Sequence, residues 1–183
     1  MKPKYREDKV TQMAALFLKL RSNNGKMHHL KLMKLLYLAD RKAFLQLGQP
    51  ISFDSCVSMD HGPVLSTTLN LIHGEVQGVG VWSEIISSPQ NHEVSLISDP
   101  GNGKLSEAEE QIIQEVFEEH GYKNRWDLED ETHLLEEWQD PQGSSIKIEY
   151  VEILRAGKKT EGEIESIMQD LENLAIMDTI FTK

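Results

Sequence analysis

The sequence contains seven histidines and one cysteine, residue types that bind metals or act as nucleophiles in many proteins. His28 and His29 are adjacent, so on a helix they are expected to point to different sides. The other histidines lie on separate predicted elements, and none has a second histidine four residues away. Cys56 is alone, so no disulfide and no thiolate metal site is expected. This spacing does not require the histidine side chains to converge, and the sequence predicts no metal site and no cofactor.

Asp60, His61 and Ser66 are the residue types of a hydrolytic triad. A triad also needs an oxyanion hole, and the chain has no nucleophile-elbow motif (GxSxG). It also lacks the phosphate-loop, dinucleotide-binding, zinc-protease and CxxC motifs. We therefore predict that the protein has no catalytic residues and is not an enzyme, and that His61 fixes a turn by hydrogen-bonding backbone groups. The three tryptophans are expected to be core anchors.

The segment from His29 to Leu47 is predicted to form one helix around which the other elements are arranged. Apolar residues cover most of its circumference, which indicates a central, buried helix. Gly48 can adopt the left-handed conformation that ends a helix, and Pro50 prevents its continuation. The polar residues are expected to form one narrow basic side: Lys31, Lys34, Arg41 and Lys42.

The remaining pattern predicts further helices and a few strands. Ser106 with Glu109, and Thr160 with Glu163, form capping boxes that open helices. The other helices are predicted at residues 8–22, 63–73, 125–136 and 148–156, and the strands at residues 55–60, 79–87 and 93–98, the last two as a hairpin. The predicted fold class is mainly α (α+β), a compact helical domain around a central buried helix with a small antiparallel β-sheet or hairpin. Residues 1–183 form a single domain in this interpretation, with 176–183 as a candidate flexible tail.

Length and charge narrow the class of protein. The chain has 183 residues and is 39% apolar, enough for one domain with a real core. It has no signal-peptide pattern and no apolar run of about 20 residues, so we expect a cytoplasmic protein with no membrane segment. The net charge is −11, yet the first 44 residues carry +8 and the rest therefore −19. An acidic second half repels nucleic acid and attracts basic proteins, or it is simply a solvated surface; both interpretations stay open.

A DNA-binding function is the alternative hypothesis. The predicted order of helix, helix, strand, helix and two strands suggests a winged helix, and the first two helices are basic. However, the predicted recognition helix at residues 64–73 contains no Lys or Arg, and neither does the hairpin at 79–98. These elements would make few phosphate contacts, so the sequence argues against nucleic acid as a partner.

Three motifs carry a family resemblance: KLMKLLYLAD at Lys31–Asp40, GQPI at Gly48–Ile51 and HGPV at His61–Val64. Together they resemble the signature of the Panacea domain, the SocA/GepA-like antitoxin-associated family. The resemblance continues through Trp126–Leu128, Thr132–His133, Glu137–Trp138 and Ile148–Gly157, which extends it over nearly the whole chain. The chain departs from the pattern at Glu136–Trp138, where many relatives have a proline.

The resemblance implies an antitoxin that neutralises a cognate protein toxin encoded by a neighbouring gene through direct binding. Some relatives are described as adaptors that deliver a toxin to a protease. The motif residues either join the central helix to the following turn through buried hydrogen bonds or contact the toxin. In the first case the contact surface lies elsewhere, for example on the first helix, the loop at 98–104 or the tail. The sequence does not identify the toxin or the stoichiometry of the complex, and it does not say whether the protein forms a homo-oligomer. The candidate residues are Lys31, Lys34, Tyr37, Asp40, Arg41, His61, Gly62, Pro63, His133 and Trp138.

Overall fold

The computed structural model describes residues 1–21, 24–75 and 80–181, apart from the side chain of Phe181. The helices in this part of the chain are α1 (Glu7–Leu20), α2 (His29–Leu47), α3 (Ser66–His73), α4 (Trp82–Ile85), α5 (Glu107–His120), α6 (Arg125–His133), α7 (Tyr150–Ala156) and α8 (Glu161–Phe181). The strands are β1 (Lys26–His28), β2 (Cys56–Met59), β3 (Gly62–Leu65), β4 (Glu93–Ser95) and β5 (Ile146–Ile148). The fold is mainly α with small antiparallel sheets, which confirms the predicted fold class.

Helix α2 begins at His29 and ends at Leu47, as predicted. Gly48 follows with a φ of 74°, and its N–H donates to the carbonyl of Phe44, which closes the helix. Helices α1, α5, α6 and α7 pack around α2, together with β1 and β3. Because most of its side chains are buried, the prediction of a central, buried helix is confirmed.

The segment after His61 is a strand, so the prediction of a helix beginning at Pro63 or Val64 is wrong. Strand β3 forms an antiparallel hairpin with β2, in which Met59 faces Gly62 and Ser58 faces Pro63. The sheet order is β3-β2-β5, so β3 lies at an edge, where a residue without an N–H group is tolerated. The helix that was predicted there begins only at Ser66.

The predicted hairpin of residues 79–87 and 93–98 is only partly formed, and its first residue lies outside the described part. Trp82 is buried in the short helix α4, which packs against α1. Burial of this large ring outweighs the β propensity of its neighbours. Ile86 and Leu96 form an isolated antiparallel bridge, whereas β4 pairs with β1. The sequence patterns did not predict β1 because it has only three residues.

In the C-terminal third, the predicted capping signals are present, but several elements begin or end at other residues than predicted. The capping box of Ser106 and Glu109 is present and opens α5, as predicted. Helix α6 ends at His133 rather than at residue 136, and the segment before α7 is the unpredicted strand β5, paired with β2. Helix α8 extends past the predicted end near Leu174 to Phe181. No helix among the described residues has the length and apolarity needed to cross a membrane.

Candidate partner-binding site

Lys34 links the central helix to the HGPV turn from inside the protein. Its Nζ donates to the carbonyl of Pro63 over 3.1 Å, and its side chain is fully buried. Burial lowers the pKa of Lys34 to about 7, and the charge of nearby Glu129 acts in the opposite direction. Lys34 therefore holds two elements together and does not present a charge to solvent.

Gly62 is required where α2 and α6 approach this turn. Its φ is 95°, a conformation that residues with a Cβ rarely adopt. A Cβ at this position would lie 2.7 Å from Thr132 Oγ1 and 2.8 Å from Lys34 Nζ. The glycine of the motif thus allows close approach of a backbone to two side chains.

Glu129 is a residue of this site that the sequence analysis did not select. Its Oε1 lies 3.0 Å from Nδ1 of His61, whose side chain is 63% exposed. Its Oε2 is buried and has no hydrogen-bond partner among the described residues. Glu129, Thr132 and His133 share one face of α6 at a spacing of three and four residues, a pattern that could have identified Glu129.

His133 and Trp138 hold the end of β2. His133 Nε2 donates to the carbonyl of Asp60 over 3.0 Å, and Trp138 Nε1 donates to the carbonyl of Met59 over 3.1 Å. The two rings contact each other, with centroids 4.2 Å apart. The later motif of the sequence therefore satisfies backbone carbonyls of the HGPV hairpin.

Tyr37 and Arg41 of α2 both bind Glu137, another residue that the sequence analysis did not select as a site residue. The Tyr37 hydroxyl donates to Glu137 Oε1 over 3.0 Å. Arg41 donates from Nε over 2.5 Å and from Nη2 over 3.2 Å to the two carboxylate oxygens. Glu137 is buried, and burial raises the pKa of Tyr37 well above its ordinary value. This bidentate ion pair fastens the segment after α6 to the central helix.

Asp40 organises the segment that follows the GQPI turn. Its two carboxylate oxygens accept from the backbone N–H and the hydroxyl of Ser52, each over 2.7 Å. Burial raises the pKa of Asp40 to about 6, and these hydrogen bonds oppose that rise. Asp54, which was not predicted, accepts from the backbone N–H groups of Thr67 and Thr68 at the start of α3. The two acids thereby fix the path between α2 and α3.

The predicted basic side of α2 is not an exposed charged face, because its cations are buried or paired. Lys31 is buried, and its Nζ donates to the carbonyls of Gly121 over 2.5 Å and Lys123 over 2.6 Å at the α5–α6 corner. Burial lowers the pKa of Lys31 to about 8. Lys42 pairs with Glu115 over 3.0 Å and Glu119 over 2.8 Å.

Two exposed apolar residues lie beside this network, Trp126 in α6 and Leu134 at its C-cap. Trp126 is 54% exposed and Leu134 is 82% exposed, so the expectation that every tryptophan is a core anchor fails at Trp126. These two residues and Asp130 are spaced four apart and share one side, which we call the α6 outer face. Tyr122, 80% exposed, precedes this helix, and the Arg125 guanidinium lies 4.5 Å from the Trp126 ring.

The hydrolytic constellation considered from the sequence is not assembled. His61 lies before β3 and Ser66 lies after it, and the extended strand between them places their Cα atoms about 16 Å apart. The His61 ring contacts Glu129 instead. The partner of the His61 ring is thus a side chain of α6 and not the backbone group that was expected.

Three histidines converge away from this site. His28 and His29 stack with ring centroids 4.9 Å apart, so the expectation that they point to different sides is wrong. The His92 ring lies 5.7 Å from that of His28. His28 is the last residue of β1 and not part of the helix, which explains the error.

The motif residues thus form a buried framework, with an exposed edge at His61 and α6. No curated protein and no solved structure matches the chain. The family model described as "Antitoxin SocA-like, Panacea domain" matches residues 32–139, which is more than half of the chain and includes nearly all of this framework. The chain belongs to the SocA-like Panacea-domain antitoxin family.

Proposed function

We propose that this protein is a non-enzymatic antitoxin that neutralises a protein toxin encoded by a neighbouring gene through direct binding. The observation that carries the proposal is the family match over residues 32–139. The buried motif framework agrees with it, because Lys34, Tyr37 and Asp40 are used inside the fold rather than in a catalytic cleft. In this proposal the motif maintains the scaffold, and exposed residues make the contact.

We place the toxin contact on the α6 outer face and the adjoining His61 turn. Trp126 and Leu134 are large apolar side chains left in water, and aromatic residues of this kind dominate the energetics of protein interfaces. Acidic residues surround them, since the helix sequence RWDLEDETH contains four carboxylates and one arginine. A basic protein surface with an apolar centre is the complementary partner.

A growth assay tests the proposal directly. Each neighbouring gene is induced with and without this protein in the same host. The proposal predicts that one neighbour arrests growth and that co-expression of this protein restores it. If no neighbour is toxic, or if growth is not restored, the family membership describes the fold and not an antitoxin activity.

A pair of double variants tests the proposed contact surface. Trp126→Ala with Leu134→Ala is expected to weaken toxin binding at least tenfold, about 1.4 kcal/mol, because it removes the apolar centre. Ile97→Ala with Ile176→Ala removes exposed apolar residues elsewhere, 58% and 45% exposed, and serves as the matched control. Equal affinities for the two double variants would remove α6 from the contact surface.

Co-purification separates blocking from delivery to a protease. Direct blocking predicts a stable complex of this protein with intact toxin and unchanged toxin abundance. Delivery predicts that the toxin disappears when this protein is present and persists in a protease-deficient host. We propose blocking, so a fall in toxin abundance would replace that mode with the adaptor mode.

A further inference from the structure

The backbone brings His28, His29 and His92 together through a strand pairing. His28 ends β1 and lies beside Glu93 of β4 in the antiparallel ladder. The backbone N–H of His29 donates to the carbonyl of His92 over 2.8 Å. The convergence of the three side chains is therefore set by the ladder and not by a chance approach of mobile loops.

His92 occupies a backbone conformation that glycine would adopt more easily. Asn91 and His92 form a two-residue hairpin turn between Gln90 and Glu93, which exchange two backbone hydrogen bonds of 2.8 and 3.0 Å. Their φ values are 50° and 66°, the signature of a type I′ turn, whose second position favours glycine. A histidine is held there despite the strain, and such strain accumulates at functional positions.

We infer that His28, His29 and His92 form a binding site for one divalent transition-metal ion of the Zn²⁺ class. One nitrogen from each ring lies within 4.8 Å of the other two. In a tetrahedral site with metal–nitrogen bonds of about 2.1 Å the nitrogens lie about 3.4 Å apart, so modest side-chain rotation closes the site. Imidazole nitrogens prefer zinc, copper and nickel over calcium or magnesium.

The hydrogen bonds of two rings fix the nitrogen that each offers. His29 Nδ1 lies 2.9 Å from the carbonyl of His92 and must donate to it, so Nε2 carries the lone pair. A backbone carbonyl commonly orients metal-binding histidines in this way. His28 Nδ1 accepts from the N–H of Leu30 over a long 3.2 Å. When the ion binds, His28 Nδ1 gives up this hydrogen bond and coordinates the ion. Water or an external ligand takes the fourth coordination position.

The charges around the cluster favour neutral rings, the form that binds metals. Burial lowers the pKa of His28 to about 4, and it also lowers the pKa of His29. The positive charge of Arg125 is a smaller cause of both shifts, and it also opposes the binding of a cation, which limits the affinity. The His73 ring stands edge-on to His29 with centroids 5.7 Å apart, outside the three-nitrogen cluster.

Titration of the purified full-length protein with Zn²⁺ tests the site. Calorimetry is expected to give one ion per chain, and Co²⁺ in place of Zn²⁺ is expected to give the visible absorption of a tetrahedral site. Zn²⁺ should also raise Tm, because an ion that binds only the folded state stabilises it. Absence of a stoichiometric ion, or several weak ions, would overturn the inference.

His92→Gly separates loss of the ligand from loss of the fold. Glycine fits the φ of 66°, so the metal-free variant is expected to keep or exceed the wild-type Tm. Its affinity for Zn²⁺ should fall at least about tenfold. His61→Asn removes an exposed histidine elsewhere and should leave the affinity unchanged. Equal Zn²⁺ affinities for His92→Gly and the wild type would contradict the site.

Discussion

At the residue scale, the family motif supplies polar groups that satisfy one another inside the protein. Lys34, Asp40 and Tyr37 are nearly inaccessible, yet each has a hydrogen-bond partner on another element. A buried polar group without a partner is strongly unfavourable, so each of these residues constrains the position of its partner. The motif therefore determines how α2, the HGPV hairpin and α6 meet.

Gly62→Ala is expected to destabilise the protein by about 2 kcal/mol or more, because the new Cβ meets Thr132 and Lys34 at a φ that disfavours it. Urea unfolding measures the change. Gly74→Ala is the matched control, since Gly74 has a φ of 71° but a Cβ added there would meet none of the described residues within 4 Å. The free energy of unfolding of Gly74→Ala should fall by only about 1 kcal/mol, because this variant adds backbone strain alone. Equal losses would mean that the close approach to Lys34 and Thr132 is unimportant.

The buried amine of Lys34 is expected to make stability depend on pH. Its pKa is about 7 in the folded state and 10.5 ordinarily, so between these values the unfolded state binds more protons. The free energy of unfolding should therefore rise with pH through this window, by up to about 1.4 kcal/mol per pH unit from this group. The same contribution is lost as the pH falls to 7. Denaturation at several pH values measures the slope.

Lys34→Met is expected to reduce that slope, because it removes the titrating amine and keeps a similar volume. Lys147→Met, at a side chain that is 65% exposed, should leave the slope unchanged. A slope shared by the wild type and Lys34→Met would assign the pH dependence to other groups.

At the scale of elements, long-range ion pairs and caps hold helices that have little apolar contact of their own. Helix α6 is short and acidic, and only Leu128 and Thr132 of its residues are buried. Its position depends on neighbours such as Lys31, which satisfies carbonyls of the α5–α6 corner. The outer face of α6 is consequently free for a partner.

Glu137→Ala is expected to destabilise the fold by about 3 kcal/mol, because it leaves Arg41 and the Tyr37 hydroxyl without their buried partner. Glu136→Ala is the neighbouring control. Its side chain is 63% exposed and pairs with Lys158, so its loss should stay within about 0.5 kcal/mol. Chemical denaturation of both variants decides whether this ion pair fastens the segment after α6 to α2.

At the scale of the whole molecule, one hydrophobic cluster runs from Val10 of α1 to Leu171 of α8. Residues distant in sequence share this cluster, so the chain is expected to unfold in one cooperative transition. Far-UV circular dichroism and tryptophan fluorescence should give the same midpoint and slope in urea. Separate transitions would contradict the single-domain prediction.

The uneven charge is also a property of the whole molecule. Several cations of the basic first 44 residues pair with acids from the second half, for example Lys9 with Glu109 and Lys19 with Asp99. The basic segment is thus partly neutralised within the fold. The acidic excess stays on the outside, where it can steer a basic partner.

Local signals in the sequence were sufficient to predict several elements. The bounds of α2, its Gly48 cap and the α5 capping box depend on neighbouring residues only, because a helix is stabilised within a few turns. The motif spacing also identified the family, since KLMKLLYLAD and HGPV are contiguous patterns. The long apolar circumference of α2 predicted its central position.

Tertiary structure decided the rest. Lys31 and Lys34 resemble surface cations in sequence, and the carbonyls of Gly121, Lys123 and Pro63 make their burial favourable. The spacing on α6 groups Glu129 with Thr132 and His133, but it does not reveal its partner His61, which lies 68 residues away in the chain. The partner of Glu137, Tyr37, lies 100 residues away. The histidine cluster likewise depends on the pairing of β1 with β4. Helical and turn preferences are local energies, whereas burial of a charge or convergence of side chains depends on which distant segments meet.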